Sequence, residues 1–176
     1  MLREMTETEA IESIGSFRVL LDEAFIPVSS APFPNSTYRP EYEWLFGYER
    51  KLAKIVSPWM DHLRYELIGE KGILGEALSN AFSHGHGKDP SLPITVCIYQ
   101  GERGLLIRVA DSGPGFDVKA VVEDYHRGRA YFHLAGNGIR RMISSHRFDI
   151  FYTARGAAFH LLYRFSPEEK KTPEAP

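Results

Sequence analysis

The stretch EALSNAFSHGHG, residues 76–87, predicts a helix with one apolar face and a polar edge that carries a carboxylate and an amide. At about 100° per residue, the apolar side chains of this region fall on one side, which is typical of a helix packed on a core. These side chains are Leu74, Ala77, Leu78, Ala81 and Phe82. On the opposite side, Glu76 and Asn80 are one turn apart. Taken alone, the pair is typical of a solvated helix face, and only the motifs nearer the C-terminus give it a functional interpretation.

Two predicted β-hairpins come after this helix. Each joins two segments that are rich in alternating apolar or β-branched residues, around a turn that contains glycine. The four predicted strands are 93–100, 104–111, 147–154 and 157–165. Apolar residues spaced by three and four also predict a helix over 42–63. Helices packed on one face of a mixed, mostly antiparallel sheet form an α+β two-layer sandwich, and that is the fold we expect.

The composition argues against several classes of protein. The formal net charge is −2 over 176 residues, and no long basic run occurs, so a nucleic-acid partner is not indicated. No apolar run is long enough to span a bilayer, and the charged residues among the first 15 are untypical of a signal peptide. Cys97 is the single cysteine, so no internal disulfide is expected. We therefore expect a cytoplasmic protein that does not associate with membranes.

Asp111 ends the second predicted strand, on the face shared by Ile107 and Val109. Because those neighbours indicate a buried face, its carboxylate needs a hydrogen-bond donor. Two interpretations stay open: a strand-end aspartate that caps its own turn, or an acceptor for a ligand amine such as the exocyclic amine of adenine. Gly113 and Gly115 come next, and they either form an ordinary turn or let the backbone approach a ligand closely.

A third motif, Gly136-Asn137-Gly138, precedes a helix predicted over 138–145. The N–H groups at such a helix start bind phosphate, although a glycine-rich helix start also occurs without a ligand. The loop-rich segment 112–135 carries Arg127 and Arg129, whose guanidinium groups either reach a phosphate or remain solvated.

Together the three motifs supply the parts of an ATP site without a Walker loop, since the pattern G-x-x-x-x-G-K-[ST] does not occur in the sequence. Asn80 offers a neutral oxygen ligand for a Mg²⁺ ion held mainly by phosphates and water. Glu76 is placed to accept a proton from an attacking water or hydroxyl. Asp111 would bind adenine, and residues 136–138 would face the phosphates.

The order of these motifs, E-x-x-x-N, then D-x-G-x-G, then G-x-G before a helix, resembles the Bergerat ATP-binding fold. That superfamily includes gyrase, a class of heat-shock chaperones, histidine kinases and mismatch-repair ATPases. The resemblance covers residues 45–165 and is greatest to the anti-sigma-factor serine kinases of bacterial partner switching. It implies that Asn80 is the metal ligand, Glu76 the general base and Asp111 the adenine-binding residue. The other candidate nucleotide-binding residues are Gly113, Gly115, Arg127, Arg129, Gly136, Asn137 and Gly138.

The resemblance implies a serine/threonine protein kinase that transfers the γ-phosphate of ATP to an antagonist protein of the anti-anti-sigma type. Such a kinase also binds a sigma factor or an analogous target. Two alternatives stay open: a non-catalytic nucleotide-binding module of a partner switch, and a detached histidine-kinase catalytic domain. One departure bears on adenine binding, because Gly156 is followed by Ala157 where the family often has a threonine that supports the aspartate.

The resemblance also divides the chain. Residues 42–165 form the expected ATP-binding domain, and the charged, proline-containing residues 166–176 form an expected disordered tail. Residues 1–41 are an N-terminal extension and the candidate surface for a partner or a homodimer. Helical spacing in part of this extension predicts that Ile14, Phe17 and Val19 face a core.

Overall fold

The protein is built on a five-stranded sheet, in the computed structural model that describes residues 3–28, 39–68, 72–127 and 146–166. The spatial order of the strands is β1-β2-β3-β5-β4, and each of the four pairings is antiparallel. The strands are β1 (Phe17–Phe25), β2 (Ile94–Gly101), β3 (Gly104–Ala110), β4 (Asp149–Thr153) and β5 (Ala158–Arg164). Both predicted hairpins are present, and the expected α+β fold is confirmed.

Five α-helices accompany the sheet in the described segments. They are α1 (Glu7–Ile14), α2 (Glu43–Met60), α3 (Arg64–Leu67), α4 (Ile73–Asn80) and α5 (Val118–His126). A π-helical turn, Ala81–Gly85, continues α4. None of these helices combines the length and the apolar composition that crossing a membrane requires.

The main core lies between one face of the sheet and the helices α2 and α4. The apolar face predicted for the stretch 76–87 is buried there, with Leu74, Ala77, Leu78, Ala81 and Phe82 each at most 4% exposed. Because this face is fixed against the sheet, the polar edge of α4 is held at the border of the core. Glu76 and Asn80 are accordingly only partly buried.

Helix α1 packs against the opposite face of the sheet. Its buried residues Ala10 and Ile14 contact a second apolar cluster, in which the sheet contributes Leu106, Phe151 and Leu162. The expectation that the helices share one face is therefore wrong for α1. The physical reason is that β3 and β5 are apolar on both faces, so each face needs a cover.

The N-terminal segment changes from helix to strand, which helical spacing alone did not predict. Helix α1 begins at a capping box, in which the Glu9 N–H donates to Thr6 Oγ1 at 3.2 Å and the Thr6 N–H donates to Glu9 Oε2 at 2.7 Å. The chain then enters β1, which pairs with β2 at the edge of the sheet. As a result, Phe17 and Val19 do not face a core and are 46% and 52% exposed.

These contacts predict that the N-terminal segment contributes to global stability. Ile14→Ala removes a fully buried side chain and should lower the free energy of unfolding by about 2–5 kcal/mol. Ile26→Ala is the matched control, since Ile26 is 43% exposed and its loss should cost at most about 0.5 kcal/mol. Urea unfolding measures both. Equal, small losses would show that α1 is not part of the cooperative fold.

Candidate functional site

The π-helical turn that continues α4 meets the chain just after β3 at a contact between Gly85 and Asp111. A Cβ atom on Gly85 would overlap the Asp111 carboxyl group, so this approach requires glycine. Gly113 is equally close, because a Cβ there would overlap the carbonyl oxygen of Gly85. The structure therefore brings together the segments 76–87 and 111–116, two of the three motifs found in the sequence.

The Asp111 carboxylate is partly buried and incompletely satisfied. Its Oδ1 accepts a hydrogen bond from the Gly113 N–H at 2.8 Å, and in the described parts of the chain no other residue donates to the carboxylate. Burial raises the pKa of Asp111, while the hydrogen bond from the Gly113 N–H acts in the opposite direction. One oxygen therefore caps the local turn, and the carboxylate keeps acceptor capacity for a ligand amine.

The backbone of Asp111 is held by the turn between β4 and β5. Its N–H donates to the carbonyl oxygen of Ala157 at 3.0 Å. The family often has a threonine at this point of the turn, and Ala157 has no hydroxyl group to offer. The main chain of Ala157 still anchors Asp111, which directly precedes the glycine loop of residues 112–116.

The π-helical turn explains how the chain leaves α4 beside Asp111. The His86 N–H donates to the Ala81 carbonyl at 3.0 Å, which is the five-residue spacing of a π-helix. The Ser83 hydroxyl donates to the Ser79 carbonyl at 2.6 Å, a contact that favours bending at a helix end. The widened turn places Gly85, rather than a residue with a side chain, against the carboxylate.

Glu76 and the glycine loop have a common neighbour in Tyr152 on β4. Burial and the negative charge of Glu76 both raise the pKa of the Tyr152 hydroxyl. From the glycine loop, the Phe116 ring packs edge-on against the Tyr152 ring, with the ring centroids 5.1 Å apart. The acidic edge of α4 and the segment after Asp111 therefore border the same part of the sheet.

Close contacts with the protein's own main chain already require glycine at Gly113 and Gly115. Gly115 has φ of +73°, and a Cβ there would overlap the carbonyl oxygen of Arg155. The same oxygen accepts the Phe116 N–H at 2.9 Å, so the loop is docked on the β4–β5 turn. Approach of Gly113 and Gly115 to a ligand stays a prediction, because these main-chain contacts already account for glycine.

The segment after this loop is partly helical, whereas a loop-rich segment was expected over 112–135. Helix α5 begins after Asp117, whose Oδ1 accepts the Ala120 N–H at 3.0 Å. Arg127 pairs with Glu123 one turn earlier at 3.0 Å, and both side chains are more than half exposed. A role of Arg127 at a phosphate therefore stays a prediction. Four further candidates lie outside the described residues: Arg129, Gly136, Asn137 and Gly138.

His86 is a residue of this region that the sequence did not single out. It is only 6% exposed, and its Nε2 lies 3.2 Å from the Ser112 main-chain nitrogen. His84, which the resemblance matches to a His-Gly motif, is exposed instead. In the sequence HGHG nothing distinguishes the two histidines, because their burial depends on the π-helical turn.

Comparison with known protein families agrees with this arrangement. A family model described as the histidine kinase-like ATPase domain matches residues 59–140. The match includes α4, the first hairpin and the Asp111 loop. No curated protein matches the chain. The resemblance to the Bergerat superfamily is thereby confirmed, and the family implies ATP as a ligand.

The described residues fit such a ligand in two respects. The partly buried Asp111 carboxylate keeps acceptor capacity for an adenine amine. Asn80, the last residue of α4, is partly buried and carries a neutral amide oxygen, a ligand type that hard cations accept. Bound ATP would supply the transferable phosphoryl group, and Mg²⁺ would neutralise the charge of its phosphates.

The contact between Gly85 and Asp111 predicts that a single methyl group disrupts nucleotide binding. Gly85→Ala must displace the carboxylate, and Mg-ATP affinity should fall by about 10- to 100-fold, the range expected for losing a hydrogen bond to a charged group. Titration calorimetry measures the affinity, with circular dichroism as a check of folding.

Gly87→Asn is the matched control. A Cβ at Gly87 meets no atom within 4 Å, and asparagine tolerates its φ of +59°. This variant should bind Mg-ATP as the wild type does. Unchanged affinity in Gly85→Ala would mean that the Asp111 carboxylate does not contact the nucleotide.

Proposed function

We propose that the protein is an ATP-dependent serine/threonine protein kinase of the anti-sigma-factor type. It transfers the γ-phosphate of ATP to a hydroxyl group of an antagonist protein of the anti-anti-sigma type, and it binds a sigma factor or an analogous regulatory target. The observation that carries the proposal is the Gly85–Asp111 contact, because it joins the helix bearing Glu76 and Asn80 to the residue proposed to bind adenine.

Each residue has a separate role in this proposal. Asp111 accepts a hydrogen bond from the adenine amine. Asn80 ligates a Mg²⁺ ion whose other ligands are phosphate oxygens and water. Glu76 accepts the proton of the attacking serine or threonine hydroxyl as its oxygen bonds to the γ-phosphorus and the bond to the β-phosphate oxygen breaks, which releases ADP.

One observation favours a second candidate function, a nucleotide-binding module that holds its partner without phosphorylating it. Ala157 provides Asp111 with a main-chain carbonyl but no side-chain hydroxyl. A site with fewer fixed donors holds the nucleotide less firmly, and firm positioning supplies most of the catalysis in phosphoryl transfer.

The exposed side chains of Phe17 and Val19 on β1 are candidates for partner contact in either case, or for contact with a second copy.

Phosphoryl transfer distinguishes the two functions. A purified anti-anti-sigma-type protein from the same organism is incubated with the chain and Mg-ATP, and its intact mass is measured over time. The proposal predicts a mass increase of one phosphate. Glu76→Ala should slow transfer by about 10²- to 10⁴-fold while much of the ATP affinity remains. Asn80→Ala should weaken both phosphoryl transfer and ATP binding, and the size of the binding defect should depend on Mg²⁺.

Glu102→Ala is the matched control, since Glu102 is an exposed carboxylate in the turn between β2 and β3. It should transfer phosphate at the wild-type rate. ATP binding without any mass increase would favour the non-catalytic module. Wild-type transfer by Glu76→Ala would reduce Glu76 to an ordinary helix-surface residue.

A further inference from the structure

His86 links the two segments of the site through its imidazole ring. The residue lies directly after the π-helical turn, and its Nε2 lies 3.2 Å from the main-chain nitrogen and 3.3 Å from the hydroxyl oxygen of Ser112. A backbone N–H can only donate, so Nε2 must accept. The neutral ring therefore carries its proton on Nδ1.

The Ser112 contact acts on the conformation of Asp111. Ser112 is the next residue in the chain, and the N–H of the one after it, Gly113, holds Asp111 Oδ1. Both main-chain N–H groups after Asp111 are thus fixed, the first by His86 and the second by the aspartate itself. With Gly85 packed against the carboxyl group, little room remains for another orientation.

The other ring nitrogen of His86, Nδ1, has no comparable contact. It is buried and has no hydrogen-bond partner within the described segments. The two contacts with Ser112 are therefore the only hydrogen bonds of this ring within the described segments. Any effect that the ring has through hydrogen bonds therefore acts on Ser112.

We propose that His86 is a positioning residue that sets the selectivity of the site for adenine. By accepting the Ser112 N–H, the imidazole fixes the turn after β3, and this turn holds the Asp111 carboxylate at the orientation that meets an adenine amine. The inference rests on the proposed role of Asp111. It assigns to His86 no contact with the nucleotide and no part in phosphoryl transfer.

Two substitutions separate the acceptor from the shape of the ring. His86→Phe keeps a planar ring and removes the acceptor, whereas the side-chain amide of His86→Gln places an oxygen close to the position of Nε2. Calorimetric affinities for Mg-ATP and Mg-GTP give the selectivity ratio. We expect the ratio to fall by about two- to tenfold in His86→Phe, the effect of one hydrogen bond, and to stay within about twofold of wild type in His86→Gln.

His146→Phe is the matched control, because His146 is exposed and precedes β4. It should leave the ratio unchanged. A residue that only supports the fold would lower the melting temperature in both His86 variants and leave the ratio as in wild type. That pattern, a lower melting temperature with an unchanged ratio, would overturn the inference.

A measurement on the wild-type protein keeps the inference testable if His86→Phe does not fold. Long-range ¹H–¹⁵N spectra report which ring nitrogen carries the proton, and we expect Nδ1. A neutral His86 protonated on Nε2 would overturn the inference, whatever the affinities.

The two proposals fail in different ways. Wild-type protein that binds neither nucleotide would overturn the proposed function and the adenine role of His86 with it. Wild-type protein that prefers ATP, together with a His86→Phe variant that prefers it equally, would overturn the inference alone.

Discussion

The close approach of Gly85 to the Asp111 carboxylate is the constraint on which the candidate site depends. It requires a residue without a side chain at the end of the π-helical turn, and this turn continues a helix α4 whose apolar face is buried in the core. The burial of that face positions Glu76 and Asn80 at the border of the core. The helix is therefore held by hydrophobic packing along its length and by a steric fit at its end.

The β4–β5 turn provides the other half of this constraint. Ala154 and Arg155 have φ angles of 50° and 55°, a conformation that residues with side chains rarely adopt. The turn so formed offers the Arg155 carbonyl to the Phe116 N–H and the Ala157 carbonyl to the Asp111 N–H. Unfavourable backbone angles in the β4–β5 turn thus accompany the hydrogen bonds that fix the loop after β3.

Much of this arrangement is determined by local sequence, and some of it is not. The apolar face of α4 was predictable because burial against a single partner leaves a periodic pattern. Both hairpins were predictable because turns that contain glycine separate segments rich in apolar and β-branched residues. The position of α1 was not, because β3 and β5 are apolar on both faces and do not reveal which helix covers which face. The burial of His86 instead of His84 depends on hydrogen bonds of a π-helical turn, which no periodicity encodes.

We propose that Asp111, held against Gly85, receives the adenine base. A crystal structure of the protein with Mg²⁺ and a non-hydrolysable ATP analogue tests it most directly. We expect the exocyclic amine of adenine within about 2.7–3.2 Å of an Asp111 carboxylate oxygen, with the Asn80 side chain on the phosphate side of the nucleotide. A nucleotide whose base lies away from Asp111, with the carboxylate still bound only to Gly113, would show that Asp111 does not bind adenine.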